Sequence, residues 1–253
     1  MSDSPLLLPL GDSAWTVEFG DRIDPALHAR VMGLNSVINA ARDAGDLAGI
    51  TDLVPTFRSL TVHYDPQLVD AEQLGTHLLQ FAKTSGRSTS DGRRWLLPVC
   101  CDAEMAPDLE RLAEAKRMAP ETVIARLAAA TFRVYMIGFM PGFPYMGGLP
   151  AELAMPRLAS PRKTVPARSL AVTGEMCAVY PWESPGGWNL LGRTPVALFD
   201  AADEAAPALL ESGDQVRWRI VDRAEYDHLE GELAGGRLGR ADFLVAKEAA
   251  WPA

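Results

Sequence analysis

The sequence GFMPGFPYMGG occupies residues 138–148, and YPWESPGGW occupies residues 180–188, followed by GRTP at 192–195. Disordered segments are poor in aromatic residues, but both stretches carry aromatic rings beside their glycines and prolines. Glycine lets the backbone approach a ring or a ligand, proline restricts the loop, and aromatic rings form pocket walls. We therefore expect two ordered loops that face one site, and we call them the first (138–148) and second (180–195) Gly–Pro segments.

The composition is that of a globular protein. The 253 residues are 48% hydrophobic and 23% charged, with a formal net charge of −9. Because binding to phosphate groups needs clustered Lys and Arg, this charge argues against a nucleic-acid or anionic-membrane partner. Between residues 138 and 195 the basic side chains outnumber the acidic ones, Arg157, Arg162, Lys163, Arg168 and Arg193 against Glu152, Glu175 and Glu183. That local balance suits a small anionic ligand, and it also fits ordinary surface charge.

The expected compartment is the cytoplasm. No apolar run approaches the length of a membrane span, and residues 1–10 lack the basic start of a signal peptide. Cys100 and Cys101 are adjacent, Cys177 stands alone, and no metal-ligand spacing is present, which fits reduced thiols. A catalytic or metal-binding role stays open for these cysteines, of which Cys177 lies nearest to the Gly–Pro segments in the sequence.

Hydrophobic periodicity divides the chain into two domains. Residues 1–84 show strands and two amphipathic helices, a pattern typical of a small α+β sandwich. Residues 85–94 are small and polar and are predicted to be a linker. Residues 95–233 show short strands between Gly and Pro turns, which indicates a β-barrel or sandwich. Residues 234–253 are expected to form a loosely held tail.

Local signals place the individual elements. Asp24 with Pro25 starts one helix, and Asp70 starts another. Recurring prolines exclude a helix from residues 156–168 and predict an extended arm. Further helices are predicted at 108–118, 120–130 and 223–233, and strands at 14–19, 50–57, 60–64, 95–99, 132–137, 170–173, 178–180, 189–191, 196–199 and 215–221.

Motifs of self-sufficient catalysis are missing from the sequence. It contains no phosphate-cradling GxxxxGK[ST] loop, no strand-associated dinucleotide fingerprint and no GxSxG nucleophile elbow. The four histidines, His28, His63, His77 and His228, all lie outside the Gly–Pro segments, and His63 fits a structural role on a strand. A Ser-His or Cys-His hydrolase is therefore hard to build, and the proton carrier is expected to be a carboxylate such as Glu183 or a group from another chain.

The Gly–Pro segments and their surroundings resemble one specific family. The resemblance is carried by RVYMIGF at 133–139, PGFPY at 141–145, GGL at 147–149, PR at 156–157, VPA at 165–167, YP at 180–181, ESPGGW at 183–188 and GRTP at 192–195. On these residues the chain is identified as a member of the family of the 5-oxoprolinase B-type subunit and the sporulation-kinase inhibitor KipI, also called allophanate hydrolase subunit 1. Members are similar to part of the carboxyltransferase domain of urea carboxylase, and the resemblance covers roughly residues 6–230.

The resemblance implies a fold, partners and a cofactor. It implies an N-terminal α+β domain and a C-terminal cyclophilin-like β-barrel. It also implies a C-type subunit with a second barrel of like fold and an A-type subunit, which together with this chain would use ATP to open the lactam ring of 5-oxoproline to glutamate. KipI-type members instead bind and block a histidine kinase, and an amide-processing subunit related to urea carboxylase or allophanate hydrolase is a third alternative, since fold does not fix function.

The candidate site residues come from both Gly–Pro segments. Arg193 suits bidentate capture of a carboxylate or phosphate, and it could equally brace its own loop through carbonyl oxygens. Glu183 and Arg193 are the candidate catalytic residues. The candidate substrate-binding residues are Pro141, Gly142, Phe143, Tyr145, Gly147, Gly148, Arg157, Cys177, Ser184, Gly186, Gly187, Trp188 and Thr194.

The sequence departs from the family pattern at three places. Residues 174–180 read GEMCAVY where the family usually has GGQTGIY, residues 167–169 read ARS where it has AGS, and a common His corresponds to Leu127. Losing Gln and Thr removes hydrogen-bonding groups, and Met176 and Cys177 are soft and apolar, so a less polar ligand than 5-oxoproline is expected. A divergent member acting on another lactam or amide fits these changes.

The chain is expected to be inactive alone and to work as half of a heteromeric pair. Two facing loops rich in Gly, Pro and aromatic residues form a semi-apolar surface of the kind that soluble proteins normally cover. A partner barrel would cover it and supply the missing catalytic groups. The opposing possibility is a self-sufficient monomer whose Gly–Pro segments fold back over their own core.

Overall fold

The chain divides into two compact units, Met1–Ser90 and Asp91–Ala253. The computed structural model describes residues 4–86 and 92–246 and Trp251. Residues 87–91 of the predicted linker 85–94 lie outside the described residues.

The first unit is a four-stranded antiparallel sheet with two helices. Its strands are β1 (Leu6–Pro9), β2 (Ala14–Glu18), β3 (Ile50–Pro55) and β4 (Ser59–Tyr64), and its helices are α1 (Pro25–Asp43) and α2 (Ala71–Thr84). The strand order is β1-β2-β4-β3. Alternate residues of β2 and β4 pack with the apolar stripes of both helices in one core, whose fully buried members include Val17, Leu34, Leu60 and Leu78.

Both helices of the first unit begin at a capping aspartate. The Asp24 carboxylate accepts a hydrogen bond from the Ala26 amide at 2.7 Å, and Asp70 accepts one from the Gln73 amide at 2.9 Å. These bonds satisfy amides that would otherwise lack a partner in the first turn. The sequence signals at both aspartates therefore place the starts of α1 and α2 correctly.

The second unit contains the remaining elements. In chain order they are β5 (Arg94–Cys100), α3 (Leu109–Lys116), α4 (Pro120–Ala129), β6 (Phe132–Ile137), β7 (Pro144–Gly147), β8 (Arg162–Val165), β9 (Ser169–Thr173), β10 (Met176–Val179), β11 (Ser184–Gly186), β12 (Asn189–Arg193), β13 (Gln215–Val221), α5 (Arg223–Ala234) and β14 (Leu244–Val245). Short 3-10 turns occupy Ala151–Leu153 and Arg240–Phe243.

Seven of these strands close into a barrel. They follow the order β12-β9-β10-β7-β6-β13-β5, and a pairing between Arg193 and Cys100 joins β12 back to β5. Most neighbours are antiparallel, but β13 runs parallel to β5 along its whole length. The predicted fold class, an α+β protein with a β-barrel, is confirmed.

One large apolar core fills the second unit. One face of the barrel strands contributes Leu97, Phe132, Met146 and Trp218, and the helices α3 and α4 add residues such as Leu112. All five side chains are 2% exposed or less. Successive side chains of a strand point to opposite faces. Because one face of each strand packs into this core, only the opposite face can make other contacts.

The structure differs from the predicted elements in a few places. Residues 196–199 form turns rather than a strand, because the Thr194 hydroxyl accepts the Val196 amide and only Phe199 makes a bridge, to Ala208. Strands β1 and β7 were not predicted. The predicted arm 156–168 contains β8, which pairs with β11 of the second Gly–Pro segment.

The predicted tail 234–253 carries structure within its described residues. Strand β14 pairs antiparallel with β5, and the Trp251 ring stacks on the guanidinium groups of Arg94 and Arg217 at 4.3 and 4.7 Å. In addition, the Arg240 guanidinium donates to the Ala206 and Pro207 carbonyls. These contacts hold the C-terminal segment against the barrel.

Among residues 4–86 and 92–246, no helix has both the length and the apolar character needed to cross a bilayer.

The three thiols should be unreactive while the protein is folded. Cys100, Cys101 and Cys177 are all free and buried, and burial raises the pKa of each, that of Cys101 to about 12. Because the thiolate is the reactive form, we expect negligible modification by a disulfide reagent at neutral pH and modification of all three in guanidinium chloride. Rapid reaction of one native thiol would contradict the burial of that residue.

Candidate functional site

The two Gly–Pro segments meet in one aromatic cluster. Phe143 of the first segment lies at its centre and is 2% exposed. Its ring centroid lies 4.9 Å from Tyr145, 5.5 Å from Phe139, 5.2 Å from Tyr180 and 6.2 Å from Trp188. Most of these ring pairs are edge-to-face, the arrangement that aromatic quadrupoles favour. The predicted convergence of the two segments is therefore visible as direct ring contacts.

The cluster lies on the barrel face opposite to the large core. Tyr145 of β7, Ala178 of β10, Ala171 of β9 and Leu190 of β12 are cross-strand neighbours in one continuous row. All four pack with the cluster rather than with the large core. The small alanines leave room above the strands for the rings that the Gly–Pro segments supply.

Several glycines of the segments lie where no side chain fits. A side chain at Gly147 would overlap the ring of Tyr135, and one at Gly186 would overlap the hydroxyl of Tyr180. Gly142 has φ +74°, and a Cβ there would lie 2.9 Å from the Leu198 carbonyl oxygen. Close packing therefore requires glycine at these three positions.

Cys177 does not belong to the aromatic cluster. It precedes Ala178 on β10, so it points to the other face of the strand, where it is fully buried in the large core. Met176, by contrast, is partly buried beside the cluster. Of the residues at which the sequence departs from the family pattern, Met176 can therefore adjoin this site, whereas Cys177 lies behind it.

A basic side chain lies beside the rings. The Arg157 guanidinium lies 6.0 Å from the centroid of the Trp188 ring, at the outer limit of a cation–π contact. Burial raises the pKa of the Tyr145 and Tyr180 hydroxyls, and the charge of Arg157 opposes that rise in both. Both phenols are therefore neutral hydrogen-bonding groups at physiological pH.

A buried carboxylate holds the arm that carries Arg157. Asp108, 4% exposed, accepts from the Leu190 amide at 2.7 Å and from Arg162 of β8 at 2.9 Å. Arg162 also donates to the Trp188 carbonyl at 3.4 Å. The backbone of the arm and that of the second segment are further joined by a bond from the Leu158 amide to the Gly187 carbonyl at 2.8 Å. Asp108 was not among the predicted site residues.

Arg193 stands at the closure of the barrel. It is half-buried, it pairs with Cys100 across β12 and β5, and its Nε is buried without a hydrogen-bond acceptor in the described part of the chain. Burial raises the pKa of the nearby Tyr226 hydroxyl, and the charges of Arg168 and Arg193 oppose that rise. Arg193 therefore lies near helix α5, and the structure shows no ring contact between it and the aromatic cluster.

The other candidate residues differ in how deeply they are buried and in whether they have a hydrogen-bond partner. Ser184 resembles Arg193 in that its hydroxyl oxygen is buried and without a partner among the residues described. Thr194 is fully buried, and its hydroxyl oxygen accepts a hydrogen bond from the Val196 amide. Glu183 is exposed, as are Pro141 and Gly148, whereas Gly187 is buried against Pro161. The carboxylate of Glu183 is free to face a ligand or a partner.

The fold and this site together define a class of protein, a closed seven-stranded β-barrel whose Gly–Pro segments form one aromatic cluster. The sequence model of the carboxyltransferase domain, subdomain C and D, matches residues 5–210. The chain is 35% identical over 231 residues to the 5-oxoprolinase B-type subunit of Bacillus subtilis (strain 168), covering 86% of this chain and 93% of that protein. It is 40% identical over 185 residues to the corresponding 5-oxoprolinase B-type subunit of Haemophilus influenzae, covering 73% and 85%. The chain therefore belongs to the carboxyltransferase-domain family, subdomain C and D, as the Gly–Pro segments predicted.

A solved structure shows the same fold. The protein TTHA0988 superimposes with a TM-score of 0.71 at 33% identity over 83% of this chain. This chain spans about 40% of the length of that protein.

Proposed function

We propose that this chain is one component of an ATP-dependent complex that opens the lactam ring of 5-oxoproline to glutamate. The observation that carries the proposal is the similarity to the 5-oxoprolinase B-type subunit over nearly the whole length of that protein in Bacillus subtilis. The chain is proposed to act with the C-type and A-type subunits of such a complex, and ATP is proposed to be bound by or shared with those partners. Tyr145 and Trp188 would form the wall of the substrate cleft.

Exposed aromatic side chains in both Gly–Pro segments support a partner. Phe139 is 69% exposed and has φ +71°, a left-handed conformation that is costly for a bulky side chain. Trp182 is 38% exposed and its ring packs edge-on against Phe199 at 5.2 Å. Strained backbone that presents an aromatic ring to solvent is typical of a binding surface.

Reconstitution tests the proposed function. We expect the chain co-purified with its C-type and A-type partners to release glutamate and ADP from 5-oxoproline and ATP, and the chain alone to release neither. Phe139→Ser should weaken assembly while leaving the melting temperature of the isolated chain unchanged, and Leu68→Ser, at an exposed apolar position of the first unit, is the matched control. Turnover by the purified chain, shown to be monomeric by light scattering, would refute the partner requirement. An assembled complex without lactamase activity would refute the substrate.

Replacing Arg193 by Lys should lower the affinity of the assembled complex for an anionic ligand about tenfold or more, because the charge is kept but the planar fork is lost. The melting temperature should barely change, since the structure shows no acceptor for the Arg193 Nε among the described residues. Arg126→Lys, which alters an exposed ion pair with Glu152, is the control. A large fall in melting temperature with unchanged affinity would show that Arg193 only braces its loop.

Glu183→Gln distinguishes a proton carrier from a structural carboxylate. If Glu183 transfers a proton, the variant complex should lose turnover while keeping substrate affinity. Glu204→Gln, at another exposed glutamate, should leave both unchanged. Unchanged turnover in the Glu183 variant would assign the proton transfer to another group.

A further inference from the structure

The second unit carries a cleft whose lining contains no ring of the aromatic cluster. It has a volume of about 620 Å³ and lies where α5 and the segment after it face the turn that follows β12. Clefts of this size bind ligands larger than a single amino acid. Residues 230–240, which form one wall, lie beyond the residues 5–210 that match the family model.

The cleft carries charges of both signs on an apolar body. Arg168 and Arg240 supply two guanidinium groups, Asp200 and Glu230 supply two carboxylates, and apolar side chains such as Leu233 complete the lining. The balance of these four charges is neutral, and Arg240 already pairs with Asp203 at 2.5 Å. Two carboxylates would repel a di- or triphosphate, so a nucleotide does not fit this lining.

An acidic and a basic side chain of the cleft both keep unused hydrogen-bonding groups. Asp200 accepts from the Ala202 amide, and no basic side chain pairs with it in the part of the chain that the structure describes. A guanidinium carries five N–H donors. Arg168 uses one on the Pro195 carbonyl and one on Glu230, at 2.8 and 2.5 Å, so donors remain for a ligand.

Arg168 is also held in a conformation that favours glycine. Its φ is +64°, in the left-handed region that side chains rarely adopt. Its amide is fixed by a bond to the Tyr180 carbonyl at 2.6 Å. A long basic side chain at such a position is strained, and strain of this kind persists at functional sites.

We propose that this cleft binds a small zwitterionic peptide of two or three residues. The ammonium group of the peptide is held by Asp200, its carboxylate by Arg168, and its side chains lie along the apolar wall. The site is independent of the proposed opening of the lactam, because its lining contains none of the candidate catalytic or substrate-binding residues.

Calorimetric titration of the full chain with three matched probes tests the proposal. L-alanyl-L-alanine carries both charges, its N-acetyl form carries only the carboxylate, and its C-terminal amide carries only the ammonium. We expect the zwitterion to bind about 10- to 100-fold more tightly than either blocked form, the range for a lost hydrogen bond to a charged group. Equal binding of a blocked form, or no saturable binding of the zwitterion, would overturn the proposal.

Variants locate the binding to this cleft. Asp200→Asn should weaken binding of the zwitterionic dipeptide to the level seen for its N-acetyl form. Asp21→Asn, at an exposed position of the first unit, should leave this binding unchanged. Arg168→Gly should weaken binding without lowering the melting temperature, because glycine relieves the strained φ. Ala197→Trp should fill the cleft and abolish binding, whereas Ala125→Trp on the exposed face of α4 should not. Undiminished binding in the Asp200 and Arg168 variants would place the peptide elsewhere and refute the site.

The proposal and the proposed function fail separately. Binding of the dipeptide is measured on the isolated chain, without ATP, partners or turnover. If the chain binds the dipeptide but forms no active complex, the peptide site stands and the proposed function fails. If the complex is active but the chain binds no dipeptide, the proposed function stands and the peptide site fails.

Discussion

Replacing Asp214 by alanine should lower the free energy of unfolding by about 3–5 kcal/mol, the range for breaking a buried, hydrogen-bonded ion pair. Asp214 is 3% exposed. Its carboxylate accepts from the Arg93 amide at 3.0 Å and from the Arg93 guanidinium at 2.7 Å. It also accepts from the Trp95 indole nitrogen and the Glu211 amide, both at 3.0 Å.

The size of the effect comes from the donors that would be left behind. The Trp95 ring is 3% exposed, so water cannot replace the lost acceptor of its indole N–H. The Arg93 guanidinium is only partly exposed and would lose its closest anion. The same carboxylate joins the entry to β5 with the turn before β13, and these two strands form the parallel pair of the barrel.

Urea denaturation of the variant checks the expectation. Asp227→Ala is the matched control, because it removes an exposed carboxylate that pairs with Arg223 on α5 and such pairs contribute little. Asp214→Asn should be less destabilising than Asp214→Ala, since the amide oxygen can still accept one bond. If Asp214→Ala lowers the free energy of unfolding no more than Asp227→Ala does, the buried Asp214 carboxylate does not stabilise the fold as expected.

The elements that follow from local signals could be predicted from the sequence. The capping aspartates fix the starts of α1 and α2, and apolar alternation fixes the bounds of β6 and β13 as Phe132–Ile137 and Gln215–Val221. Strand β7 escaped prediction because Pro144–Gly147 reads locally as a turn. Its strand conformation is imposed by pairing with β6 and β10, contacts that the turn-like sequence of the segment itself does not reveal.

The composition of the site could be predicted only in part. Aromatic rings within rigid loops indicated that Phe143, Tyr145 and Trp188 converge, and their rings do meet. The face on which Cys177 lies could not be derived, because the predicted strand began at Ala178 whereas β10 begins at Met176. Faces alternate with every residue, so the orientation of a residue outside a predicted strand is not defined.

Asp108 was missed as an anchor of the site for a different reason. In the sequence it reads as a helix start, but its side chain makes no capping bond to α3. Beside a long contact with Arg111 at 3.4 Å, its closer partners are Arg162, 54 residues further along the chain, and the amide of Leu190, 82 residues further along. Only the closed barrel brings these groups together, so no local pattern can reveal the contact.

Replacing Asp108 by alanine should also lower the free energy of unfolding by about 3–5 kcal/mol, because Arg162 would lose its buried anion and the Leu190 amide its acceptor. In addition, the variant should loosen the arm that carries Arg157 against the Trp188 ring. We expect a changed tryptophan fluorescence spectrum in the folded variant. Asp102→Ala, at an exposed aspartate just before α3, is the matched control for stability and fluorescence.

The pH dependence of stability tests the same contact independently. Burial acts to raise the pKa of Asp108, but hydrogen bonds from Arg162 and the Leu190 amide, with the charges of Arg162 and Arg111, hold it below its usual value. The unfolded chain, with a pKa of about 3.9, therefore binds this proton more readily than the folded chain. The stabilisation is present above about pH 4 and is lost as the pH falls through the folded-state pKa. Asp108→Asn has no carboxyl to titrate, so its stability should fall less steeply below about pH 4 than that of the unchanged protein. Parallel acid denaturation profiles for the two proteins would show that the contact with Arg162 does not stabilise the ionised carboxylate.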